Sequence, residues 1–131
     1  WGLFKNKEKI MEWIKDHTPM FMDVAKDVKG REAIEYGYET ENEYKDHLVR
    51  VVFERDEQRL LDFLLLELMK TFDMYIGNDE MTTLENCNVP RAIEISKSFV
   101  KKNAKTEETF SKFITQLENA VKYQSDVFFG G

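Results

Sequence analysis

The chain has 131 residues, a net charge of −6 and a pI near 5.0, so a basic nucleic-acid-binding surface is not expected. With 42% hydrophobic and 13% aromatic residues it carries enough apolar side chain for a core without staples, and too much for disorder. One cysteine, Cys87, excludes an internal disulfide and suits a reducing compartment such as the cytoplasm.

In chain order, residues 4–17 form the first expected helix, with Ile10, Met11, Trp13 and Ile14 on one side. Thr18-Pro19 reads as an N-cap followed by a first-turn proline, and opens a second helix to Lys29 that buries Met20, Phe21, Val24 and Val28. Gly30 is its natural stop. Residues 31–54 are ambiguous. Ile34, Tyr36 and Tyr38 alternate as in a strand, and Leu48 to Phe53 is rich in β-branched residues, so a hairpin within 33–53 is the alternative to a helix over 43–54. The segment between them lacks a Gly or Pro turn signal, and the helix is preferred.

The strongest helical pattern covers residues 56–76 and stops at Gly77-Asn78-Asp79. A polar loop over 77–88 follows. Pro90 then opens a helix ending at Lys101-Lys102-Asn103, and Thr106 caps a last helix with the stripe Phe110, Phe113, Ile114, Leu117, Val121 and Phe128. The expectation is a single all-α domain over 1–131, a bundle of about five helices, with an α+β fold carrying a short hairpin near 33–53 as the alternative.

Chemistry-bearing patterns are sparse. The histidines, His17 and His47, lack the Glu-x-x-His context of a di-iron bundle, and the Glu43/His47 spacing reads as a salt-linked surface histidine. Cys87 precedes a helix, which favours a thiolate, but Glu85 opposes it. Glycines are scattered, and no phosphate loop is present. No cofactor, metal or catalytic residue is therefore nominated.

Charge is uneven: residues 1–31 hold seven Lys/Arg and five Asp/Glu, residues 32–86 five and fifteen, and residues 87–131 seven and five. The acidic middle third is expected to pair with its basic flanks, with an acidic face for a basic partner as the functional alternative. On the helix over 56–76, Leu60, Phe63, Leu66 and Met74 fall among the polar residues of the wheel. One account makes this the central helix of a bundle, which the general rule that apolar stripes are core prefers. The other makes them an apolar contact patch rimmed by Asp56, Glu57 and Glu67.

These observations point to a small soluble protein-binding module, an adaptor, inhibitor or immunity-type protein acting by occlusion. Its partner is another protein or a second copy, and no integral membrane segment is expected. A metal-binding or catalytic bundle is the rival from another class. A third reading follows from the start at Trp1: aromatics beside Lys5, Lys7 and Lys9 suit a cytoplasmic domain whose membrane anchor lay upstream.

Overall fold

In the computed structural model the described residues are 19–77, 81–100 and 103–131; the helix expected over 4–17, and with it His17, lies outside them. The described chain is α+β, not an all-α bundle. Its elements are β1 (Met20–Ala25), α1 (Val28–Tyr36), β2 (Leu48–Phe53), α2 (Arg55–Phe72), β3 (Thr82–Leu84), α3 (Val89–Ser98), α4 (Ala104–Tyr123) and β4 (Val127–Gly130). The strands form one antiparallel sheet in the order β2-β1-β4-β3.

The all-α expectation fails first at β1. Met20, Met22 and Val24 face one side of the sheet and enter the main core, while Ala25 joins a second cluster on the other. A central strand covered on both faces reads as a continuous apolar run, and such a run does not separate strand from helix by period. Gly30 is not a helix stop but lies within α1, which Asp27 caps by accepting a bond from the Gly30 amide at 2.9 Å. A Cβ at Gly30 would lie 1.9 Å from the His47 carbonyl oxygen, so this turn of α1 packs against the segment leading into β2 only as glycine.

The helix expected over 43–54 is likewise corrected: Leu48–Phe53 is β2. It pairs in register with β1, from Met20 opposite Phe53 to Ala25 opposite Leu48, and not with residues 33–38, which begin in α1 and end in the turn after it. The β-branched content of 48–53 supported only the alternative, and the strand's partner lies across α1, beyond the reach of a hairpin argument. The polar loop expected over 77–88 holds β3 and a short 3-10 turn at Asn86–Asn88. Asn103, not Thr106, caps α4, accepting from the Lys105 amide at 3.1 Å, and Thr106 is buried one turn in. Phe128 leaves the α4 stripe altogether, because α4 ends at Gln124 in the left-handed region (φ 53°) and Phe128 sits in β4.

Helices α2, α3 and α4 cover the Met20/Met22/Val24 face. Leu61, Leu64, Leu65 and Leu68 of α2 meet Phe110, Phe113 and Leu117 of α4 there, with Phe113 between Phe53 and Phe129 at ring separations of 6.0 and 6.3 Å. Each of these fully buried side chains contributes about 1.5–3 kcal/mol. The buried Gln116 of α4 pins the helix to the sheet, its Nε2 donating to the Met22 and Val49 carbonyls at 2.8 and 2.7 Å. Its Oε1 accepts from Asn119 at 3.0 Å, so the amide is satisfied at both ends. On the opposite face, α1 packs Ala33 and Ile34 onto Ala25, Leu48 and Phe128.

Candidate contact surface

Helix α2 begins with a capping box: Glu54 accepts from the Glu57 amide, and Glu57 Oε1 accepts from the Glu54 amide at 3.1 Å. Its four buried leucines set the inward direction. At the helical step of 100° per residue, Leu66 and Phe63 lie on either side of the opposite, outward direction, one turn apart. Phe63 is 74% exposed and Leu66 52% exposed, so among the described residues no neighbour wraps the helix at these two positions. Arg59, Asp62 and Lys70, all exposed, share this outer face. Partial desolvation holds the Asp62 carboxyl above its ordinary value, against the opposing pull of Arg59.

The remaining residues of the expected patch divide. Leu60 and Glu67 are half-buried. Met74 is half-buried against the core and lies past the end of α2, which stops at Asp73 in the left-handed region (φ 50°). Asp56 is ion-paired with Lys105, which holds its carboxyl below the ordinary range. Glu57 pairs with Lys112 at 3.1 Å, and that ammonium lies 4.7 Å from the centre of the Phe53 ring. Asp56 and Glu57 thus lean toward Lys105 and Lys112 of α4. The structure brings Phe63 and Leu66 together at the surface, and their rim is of mixed charge.

The second sheet face holds a charged group that the sequence reading missed. Asp23, fully buried in β1, accepts from Arg50 Nε and Nη2 at 2.8 Å each, directly across the β1–β2 register. The guanidinium lies 4.0 Å above the Phe21 ring, and Glu39 approaches it at 3.9 Å. Burial pushes the Asp23 carboxyl upward despite the two guanidinium bonds. A lone carboxylate inside an apolar run of six was the available signal.

Other polar groups are structurally engaged. His47 Nδ1 lies 2.7 Å from Asp27 Oδ2, and not against Glu43, which pairs with Lys29. That histidine and the Gly30 amide hold the Asp27 carboxyl below its ordinary value. A cleft of about 280 Å³ beside Asp27, Val28, Arg31 and Phe128 also contains Ser125, whose hydroxyl donates to the Asp126 carbonyl at 2.7 Å and accepts from the Ala25 amide at 3.1 Å. No nucleophile is poised there. Cys87 is exposed, its Sγ 3.8 Å from Glu85. Among the described residues no group of three or more His, Cys, Asp or Glu is arranged to hold a metal ion, and no helix is long and apolar enough to cross a membrane. Compared with protein families, with characterised proteins and with solved structures, the chain has no significant match.

Proposed function

We propose that this chain is a protein-binding module that works by contact, through the outer face of α2. One observation carries the reading: Phe63 and Leu66, two large apolar side chains one helical turn apart, point directly away from a helix whose inward stripe is already complete. Scattered exposed apolar residues need no explanation, but an adjacent aromatic and leucine ringed by Arg59, Asp62 and Lys70 have the composition of a small interface centre with a polar rim. Occlusion of a partner's surface requires no catalytic group. An acidic chain with one unpaired cysteine suits a protein partner in the cytoplasm rather than a nucleic acid.

The test is Phe63→Asp, followed by light scattering for self-association and by affinity capture against the wild type. Because Phe63 is mostly in water, the variant keeps its fold and its thermal midpoint. Loss of a dimer, or loss of a captured partner, is the expected result. An unchanged mass together with an unchanged set of partners overturns the reading.

A further inference from the structure

On the other side of the sheet from α2, the end of α1 and the turn that follows expose a tyrosine surface. Tyr36 is 65% exposed and Tyr38 41% exposed. Their rings lie 6.4 Å apart, and Tyr38 stacks on Tyr44 at 5.4 Å, so three phenol rings form one continuous run. Among the described residues none of the three hydroxyls has a hydrogen-bond partner, and neither exposed ring is a member of a core cluster. We propose that this surface binds a lysine- or arginine-bearing segment of another protein.

The sign of the partner follows from the surrounding charge. From residue 32 to residue 46 the chain carries six carboxylates and a single lysine. Glu32, Glu35 and Glu41 are exposed and make no ion pair among the described residues. Glu32 and Glu35 lie within one turn of Tyr36, and Glu41 donates its amide to the Tyr38 carbonyl at 3.1 Å. A negative field with exposed aromatic faces selects a cation able to stack, which excludes an anionic ligand and disfavours a purely apolar one.

The molecule already contains one copy of this chemistry. Lys29 sits 5.2 Å from the centre of the Tyr44 ring while its ammonium reaches Glu43 at 3.4 Å. A cation held between a tyrosine face and a glutamate at the inner end of the run shows the chemistry that Tyr36, with Glu32 one helical turn before it, and Tyr38, with Glu41 three residues on in the same turn, would offer to side chains from outside. The platform is also held in shape before any partner arrives. Gly37 ends α1 at φ 81°, the Tyr38 amide donates to the Ala33 carbonyl at 2.7 Å, and the Tyr44 and Lys45 amides both donate to the Glu41 carbonyl at 2.9 Å. Little ordering is then required on binding.

The test uses the full chain and a peptide of alternating arginine and glycine, with a glutamine-for-arginine peptide as control, followed by tyrosine resonances and titration calorimetry. The arginine peptide is expected to bind, and the glutamine peptide not to. Tyr36→Ala and Tyr38→Ala are each expected to weaken binding about two- to fivefold, and Glu35→Lys with Glu41→Lys about tenfold or more. Glu108→Lys with Glu118→Lys, at exposed positions of α4 across the sheet, is the matched change in net charge and is expected to have a much smaller effect. Equal loss from both charge pairs, or tyrosine variants that bind as well as wild type, overturns the proposal by reducing it to net charge. Phe63→Asp leaves this binding intact, so failure here and failure of the α2 contact are separately visible.

Discussion

Replacing Arg50 by methionine tests the reading of the second sheet face, because it leaves the Asp23 carboxylate inside the protein with no cation. Methionine keeps an apolar stem over the Phe21 ring, so the chief loss is electrostatic: two bonds of 2.8 Å to a carboxylate that is fully shielded from solvent. The orphaned group either stays charged, at several kcal/mol, or takes up a proton. Protonating an ordinary aspartate at pH 7 costs about 4 kcal/mol relative to its value in the unfolded chain, which caps the damage. The cap falls by about 1.4 kcal/mol for each pH unit, reaching about 1.5 kcal/mol at pH 5. The sign is that of an acid raised by folding: stability is retained at low pH and lost as pH rises through the folded value. Urea unfolding of Arg50→Met followed by far-UV circular dichroism between pH 5 and 7 reads this directly. Asp23→Leu with Arg50→Met, which removes both charges, is expected to regain most of the loss. A deficit that does not change with pH, or a double variant no more stable than the single one, refutes the account of a buried pair.

Gln116→Leu removes two donors from the Met22 and Val49 carbonyls and is expected to destabilise by about 2 kcal/mol in the same assay, without altering secondary structure. Gly30→Ala drives a methyl into the His47 carbonyl and is expected to cost about 1–3 kcal/mol, where an exposed helical glycine would gain from the same change. The Asp27 carboxyl, followed by carbon NMR, is expected to titrate below its ordinary value of 3.8 and to move upward in His47→Ala. Its contribution to stability is therefore present above that ordinary value and lost as pH falls through the lowered one.

The parts of the fold legible in the sequence were those with one wet face. The leucine stripe of α2 and the phenylalanine stripe of α4 are amphipathic, and the 3.6-residue period located both helices but carried each of them past its C-terminal end. The sheet was illegible for the opposite reason. β1 is covered on both faces, β3 has three residues, and β4 was absorbed into the α4 stripe because Phe128 continues its apolar spacing past Gln124. The contact patch was half legible. The wheel separated Phe63 and Leu66 from the core face, but it kept counting into Met74 after the chain had left the helix at Asp73, which no glycine or proline announced. The tyrosine run was invisible, since it joins a helix end to a turn whose path depends on Gly37 and on β2.

The acidic middle third, ten charges negative over residues 32–86, resolves into two kinds of carboxylate. Those that open α2 are engaged by two lysines of α4, Asp56 with Lys105 and Glu57 with Lys112, and they tie two helices together. Those of α1 and the following turn have Lys29 on Glu43 and Arg50 near Glu39, while Glu32, Glu35 and Glu41 go unmatched among the described residues. Self-repulsion of this kind is tolerated but contributes nothing to the fold. Unmatched charge beside exposed rings on one side of the sheet, and unmatched apolar surface at Phe63 and Leu66 on the other, leave two chemically distinct faces on one rigid core. If both proposed contacts form, the two faces would let one chain hold two different partners at once. The Phe63 and Tyr36/Tyr38 variants therefore separate an adaptor, in which each abolishes one contact and spares the other, from a single-partner inhibitor, in which both weaken the same complex.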